Sequence, residues 1–258
     1  EPGSTVKPLA LSALLENDQN FLKSEVNTSP GWIEFEGYKT EDAIDNGILS
    51  TEEIIAKSSN VGMVKLCADF ESNQILQTYY SLGLGKYMNE IFISTREGYL
   101  PEFKDLSPRE KVSLCYGYGL QTTLIQLTAA YSTIFSNGLY RPLKLVNNSS
   151  QLTEKRILKE NNALSIKNIL LQAIQNGTGF RAKVKNQNVF GKTGTARIFK
   201  NQQYNEDLHN ALFIGMTELD EKKYLVGLIV KDPKINGDGG GDVAAPIFSE
   251  IIETIQNF

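Results

Sequence analysis

Ser4 and Lys7 are the first residues of this chain whose types and spacing could do chemistry. A serine hydroxyl attacks a carbonyl only when a nearby base takes its proton, and a neutral lysine amine can be that base. Pro2-Gly3 reads as a turn, and the apolar-periodic run from Val6 to Leu15 reads as a helix. Ser4 then stands at a helix start, with Lys7 three residues on and on the same face. The positive end of the helix dipole lies under both. A Ser-x-x-Lys spacing alone says little. Serine is a common N-cap, lysine on a helix face is usually solvated, and the pattern arises by chance about once in a chain of this size. It gains meaning only from partners downstream.

Two such partners follow. Ser58-Ser59-Asn60 lies between two predicted helices, where a hydroxyl and an amide could face a cleft; the plainer reading is a helix cap. Lys192-Thr193-Gly194-Thr195-Ala196 lies on a predicted strand. An amine, two hydroxyls and a glycine on one strand suit the grip of a peptide ending in a carboxylate, and Gly194 would let a ligand backbone come close. The plainer reading there is an exposed edge strand. Ser-x-x-Lys, Ser-x-Asn and Lys-Thr-Gly occur once each, in that order.

The elements that must position these groups are partly legible. The first helix should end near Asn17-Asp18. Ser29-Pro30-Gly31 precedes an alternating run, Trp32 to Phe35, that reads as a hairpin or extended cover. Capping boxes at Ser50/Glu53, Ser107/Glu110 and Thr123/Gln126 open three helices. Further helices are predicted from about Val61 to Phe70, from Ser72 to the Gly83-Leu84-Gly85 stop, and from Asn161 or Asn162 to Gly177. Residues 141 to 146 read as a short strand. After residue 185 the period changes. Asn188 to Ile198, Ala211 to Thr217 and Tyr224 to Val230 read as three strands, and Asp242 as the cap of a last helix carrying Ile247, Phe248, Ile251, Ile252 and Ile255.

Composition narrows the function. The 258 residues are 41% hydrophobic and 22% charged, with net charge −4. They give a core of useful size and no basic footprint for nucleic acid. No apolar run is long enough to span a bilayer. His209 is the single histidine and reads as a residue at the start of a strand. It rules out a histidine-rich metal site and makes lysine the better candidate base. Cys67 and Cys115 fall in apolar helical patterns without metal or redox spacing and read as buried thiols. Asn236-Gly237-Asp238-Gly239-Gly240-Gly241 lacks the ending of a phosphate-binding loop and reads as a surface turn. No cofactor motif is present.

The ordered triplets are the signature set of penicillin-binding proteins and class A β-lactamases. The likeness spans the chain. Glu1-Pro-Gly-Ser-Thr-Val-Lys-Pro8 resembles the active-site peptide of class B penicillin-binding proteins. Ser58-Ser-Asn-Val-Gly62, Tyr116-Gly-Tyr-Gly-Leu120, Gly138-Leu-Tyr-Arg-Pro142, Gly177-Thr-Gly179, Gly191-Lys-Thr-Gly-Thr-Ala196, Asp232-Pro233 and Ala244-Ala-Pro-Ile-Phe248 resemble the septal transpeptidase of cell division. The resemblance implies an α/β (α+β) fold of the transpeptidase/β-lactamase type, an antiparallel sheet flanked by helices plus a helical lobe. One transpeptidase domain would fill residues 1–258, the lobe at about 20–177 and the sheet with its closing helix at about 185–258. The first strands of the sheet would lie ahead of Glu1. The implied activity is a D,D-transpeptidase that cross-links peptidoglycan stem peptides ending in D-Ala-D-Ala and is inhibited by β-lactams. Ser4 would be the nucleophile, Lys7 its base and Ser58 the relay to the leaving D-alanine. Asn60 would hold the substrate amide and Lys7, and Lys192 would supply positive potential. Thr193, Gly194 and Thr195 would bind substrate, and the backbone N–H groups of Ser4 and Thr195 would form the oxyanion hole. Division-complex membrane proteins would be partners, and the domain would face the periplasm from an inner-membrane anchor. A β-lactam sensor or division scaffold, a D,D-carboxypeptidase and a β-lactamase are the rivals. No Glu-x-x-x-Asn occurs between Ser58 and Lys192, which speaks against the last.

Overall fold

The structure is a computed structural model, and it describes all residues except 71, 87–95, 145–153, 201–202, 236, 238 and 258. Its sheet is built of β7 (Val189–Lys200), β8 (Gln203–Leu219) and β9 (Lys222–Lys231), antiparallel in that order; the earlier elements are named below. The central strand explains the apolar run that predicted it. Side chains alternate across a strand. Leu212, Ile214 and Met216 enter one hydrophobic cluster and Phe213 the other, all buried. A strand covered on both faces reads as continuous apolar sequence, not as alternation. On the Phe213 side lies α8 (Ala245–Gln256), whose Phe248 ring packs 5.0 Å from that of Phe213.

The other cluster surrounds α1 (Lys7–Asn17). Every residue of α1 from Lys7 to Leu15 is buried. A helix apolar all round belongs in a core, and here it shares one hydrophobic cluster with the rest of the helical set. That set comprises α2 (Thr51–Ala56), α3 (Asn60–Cys67), α4 (Ser72–Ser81), α5 (Pro108–Ser113), α6 (Leu124–Phe135) and α7 (Glu160–Gln175). The three predicted capping boxes all form. Two-stranded sheets interrupt this region: β1 (Glu25–Asn27) with β4 (Ile48–Ser50), β2 (Trp32–Phe35) with β3 (Tyr38–Glu41), and β5 (Leu139–Tyr140) with β6 (Lys155–Arg156).

Several expectations need correction. Residues 141–144 form no strand; the short strand is β5, one turn earlier, and residues 145 and 146 lie outside the described set. His209 sits well inside β8, paired with Arg197, because β8 starts at Gln203. Asp242 does not cap α8. It lies in the π-helical turn Gly240–Ala244 that leads into α8, and its carboxylate faces Arg181 at 3.5 Å. Cys67 and Cys115 are buried but are not free thiols: they form a disulfide. It joins the C-terminal end of α3 to the 3-10 turn Leu114–Tyr116.

The disulfide encloses a sequence separation of 48 residues. By chain entropy such a bridge removes about 4 kcal/mol from the unfolded state's advantage. Cys115→Ala is therefore expected to lower stability by about 2–4 kcal/mol, read as a lower urea midpoint without reductant. An unchanged midpoint would show that the bridge does not hold the native chain in solution.

Candidate active site

The turn bearing Ser4 is built by close backbone approach. Residues Gly3–Val6 form a 3-10 turn that runs into α1, with Val6 and no side-chain cap at the α-helix boundary. Gly3 takes φ +53°, and a side chain there would press on the Thr195 carbonyl. The Gly3 N–H donates to the Gly117 carbonyl at 3.2 Å. Thr5 is tied twice: its hydroxyl donates to the Pro2 carbonyl at 2.7 Å, and its own carbonyl accepts from Tyr131 at 2.6 Å. At Gly194 the space a side chain would need is taken by the Thr5 methyl and the Pro2 carbonyl. That glycine lets β7 pack directly on the Ser4 turn as well as line the cleft.

Lys7 stands at the first position of α1, and its amine reaches across to the Ser58-Ser59-Asn60 segment. It donates to the Ser58 carbonyl at 2.5 Å and to Asn60 Oδ1 at 2.8 Å, with Ser58 Oγ at 3.3 Å. Lys192 on β7 donates to the same Ser58 Oγ at 2.8 Å and to the Thr193 carbonyl at 3.0 Å. Both lysines are 0 % exposed. Burial disfavours a charged amine, and a second cation beside it adds to that. Burial first, then the Lys192 charge, hold the Lys7 amine well below its ordinary range, against a smaller opposing pull from the Asp42 carboxylate. Burial brings Lys192 to about 7.

Ser58 is held in the left-handed region at φ 62°. It is the capping residue past the end of α2: the Ser58 N–H donates to the Ile55 carbonyl at 3.2 Å and the Ser59 N–H to the Ile54 carbonyl at 2.9 Å. The residues that follow Ser58 are anchored by one that the sequence offers no reason to choose. Asp42, just after β3, accepts from Ser59 Oγ at 2.5 Å, from the Asn60 N–H at 2.5 Å and from the Val61 N–H at 3.1 Å. It caps α3 together with Ser59, whose Oγ accepts from Gly62 N–H at 2.8 Å. Asn60 Nδ2 donates to the Glu41 carbonyl at 3.0 Å. Asp42 lies 16 residues before Ser58 in an irregular stretch, where no spacing rule points to it.

A cleft of about 800 Å³ runs between these groups, lined by Ser4, Ser58, Asn60, Thr193, Gly194 and Thr195 among others. The structure thus brings the three predicted triplets to one place. On the β7 side, Thr193 Oγ1 is 2.6 Å from Thr178 Oγ1, and Thr195 Oγ1 accepts from the Gly240 N–H at 3.1 Å. Thr178 and Gly240 are further site residues that single-sequence reasoning left out. Gly177-Thr-Gly179 is part of the family likeness; the glycine run, read as a surface turn, instead buries Gly240 at the start of the helical turn before α8. His209 does not line this cleft. Among the described residues no group of His, Cys, Asp and Glu could hold a metal ion.

Residues 1–253 match the model of the penicillin binding protein transpeptidase domain. The chain is 33% identical over 253 residues to a probable peptidoglycan D,D-transpeptidase PenA of Neisseria gonorrhoeae, covering 98% of this chain and 43% of that protein. It is 33% identical over 256 residues to the peptidoglycan D,D-transpeptidase FtsI of Buchnera aphidicola, covering 99% of this chain and 45% of the relative. The chain therefore spans less than half the length of these relatives. Among solved structures, the apo transpeptidase domain of penicillin-binding protein 3 from Burkholderia pseudomallei superposes with TM-score 0.92 at 29% identity, covering all of this chain and 78% of that one. Penicillin-binding protein 3 of Mycobacterium tuberculosis, solved in complex with aztreonam, gives TM-score 0.89 at 26% identity, covering all of this chain and 62% of that one. The mixed α/β fold, the three triplets converging on one cleft and these matches agree: the chain belongs to the penicillin-binding protein transpeptidase domain family.

Proposed function

We propose that the chain carries the catalytic centre of a serine D,D-transpeptidase that cross-links peptidoglycan stem peptides, acting in septal wall synthesis and acylated by β-lactams. The observation that carries this is the bonding of Lys7. A neutral amine has two N–H donors and one lone pair. The Ser58 carbonyl and Asn60 Oδ1 take the two donors at 2.5 and 2.8 Å. The lone pair is then left for a hydroxyl: Ser58 Oγ lies at 3.3 Å, and Ser4 stands one helical turn back on the same side of the cleft. Burial keeps the amine in the neutral form this needs.

The chemistry follows from that arrangement. Ser4 Oγ attacks the carbonyl between the last two D-alanines while its proton passes to Lys7 Nζ. The carbonyl oxygen becomes an oxyanion, received by the backbone N–H groups of Ser4 and Thr195. The tetrahedral adduct collapses, the C–N bond breaks, and the leaving D-alanine nitrogen takes a proton from Ser58, resupplied by Lys7 or Lys192. Lys192, near 7, gains or loses a proton easily at neutral pH. The terminal carboxylate sits against Thr193 and Thr195. The Gly240 N–H occupies a lone pair of the Thr195 oxygen, which leaves the Thr195 proton to donate into the cleft. An amine of a second stem peptide then attacks the acyl-enzyme, and Ser4 recovers its proton. A β-lactam follows the first half and stays, because its leaving group remains tethered. The division role draws on the likeness to the relatives named FtsI. Membrane partners in a division complex and a periplasmic location go with that role. No helix among the described residues is long and apolar enough to cross a membrane.

Two measurements test this. A fluorescent penicillin should label the wild type once, on Ser4, and Ser4→Ala should lose the label completely; a label retained on any other side chain sinks the reading. The acylation rate constant should also reach its plateau well below the usual lysine range and fall at lower pH as Lys7 is protonated. The sign follows from the direction of the shift: a depressed pKa puts the neutral form in place below the usual lysine range. A lysine of ordinary pKa near 10.4 would instead give a rise of about 70-fold between pH 8 and pH 10.

A further inference from the structure

Glu1 is not among the triplets, yet its side chain joins three separate segments. Its Oε1 accepts from the Gly119 N–H at 3.0 Å and from the Tyr204 hydroxyl at 2.8 Å. Gly119 belongs to the loop whose Gly117 carbonyl holds the Gly3 N–H. Tyr204 lies at the outer end of the β7–β8 hairpin, paired with Phe199 beyond a register shift at Arg197/Phe199. The Tyr204 ring stands edge-on to Tyr118 at 5.5 Å and to Phe199 at 5.1 Å. The Tyr118 hydroxyl meets the Arg197 backbone. Glu1 Oε2 is buried with no hydrogen-bond partner among the described residues. Burying an unpartnered carboxylate oxygen is unfavourable, so the side chain is held in place by what Oε1 does.

Thr195 lies four residues before Phe199 on β7, and the Ser4 turn begins two residues after Glu1. The two backbone N–H groups that must point at one oxygen thus sit on opposite sides of this junction. We infer that Glu1 is a positioning residue for acylation: through Tyr204 and Gly119 it sets the spacing between the Ser4 turn and the outer part of β7, and so the alignment of the Ser4 and Thr195 N–H groups. This rests on the transpeptidase reading above. Glu1 touches no reacting atom in it. Burial and the Glu1 carboxylate both keep the Tyr204 phenol protonated, as the donor this junction requires.

The test uses the full-length protein and penicillin acylation followed at several penicillin concentrations, which separates the binding constant from the acylation rate constant. Glu1→Ala and Tyr204→Phe should each lower the acylation rate constant about 10- to 100-fold, the cost of misplacing reacting groups by about an ångström. The binding constant should stay within twofold. Glu1→Gln keeps an acceptor at the Oε1 position and should recover most of the rate. A purely structural role predicts something different: a smaller fraction of molecules that label, at the wild-type rate constant, with a lower melting temperature. That result, or wild-type rate constants in both Glu1→Ala and Tyr204→Phe, overturns the inference while leaving Ser4 as the nucleophile. Wild-type protein that takes no label on Ser4 overturns the transpeptidase reading and this inference with it.

Discussion

Two buried lysine amines share one serine hydroxyl at the wall of the cleft, and the rest of the molecule can be understood as what makes that tolerable. Lys7 and Lys192 come from the start of a buried helix and from the edge strand of the sheet, and both meet Ser58 Oγ. Two buried like charges at that separation would repel strongly. The protein removes the conflict by lowering the proton affinity of both amines, so that at neutral pH the pair need not be doubly charged. Asp42 supplies the nearest compensating negative charge from the far side of Ser59 and Asn60.

Holding that pocket requires rigid neighbours on every side. α1 brings Lys7 in and is itself sealed into the core. β7 brings Lys192 in, and its glycines at 191 and 194 allow Phe213 and the Ser4 turn to press directly against the strand. The disulfide between Cys67 and Cys115 links the far end of α3 to the turn just before Gly117, whose carbonyl holds Gly3. The helix carrying Asn60 and the loop supporting Ser4 are therefore joined at a distance from the cleft. Each group of the site belongs to an element that is fixed somewhere else.

Local features of the sequence were legible because their causes are local. The capping boxes at Ser50, Ser107 and Thr123 need only four consecutive residues, and all three form. The sheet strands were legible from their β-branched apolar runs, though β8 begins eight residues before the apolar stretch that signals it, at Gln203. What escaped was set by tertiary contact. Two cysteines 48 positions apart in helical patterns give no pairing rule. Asp42 works across a loop, and Gly240 works by its backbone, so neither has a side-chain pattern to read. Asp242 looked like a cap by type, yet a π-helical turn takes up the space before α8 and leaves its carboxylate to Arg181. The convergence of the triplets was visible as an ordered set; the partners that align them were not.

Ser58 carries a side chain in a backbone region that glycine occupies freely, at φ 62°. A non-glycine residue held there typically costs on the order of 1 kcal/mol. Glycine would fit the bend better and would also delete the hydroxyl on which both amines converge. Under the proton relay proposed above, a glycine here would therefore exchange turnover for a more relaxed backbone, and the strain at Ser58 is the cost of keeping a hydroxyl between the two amines.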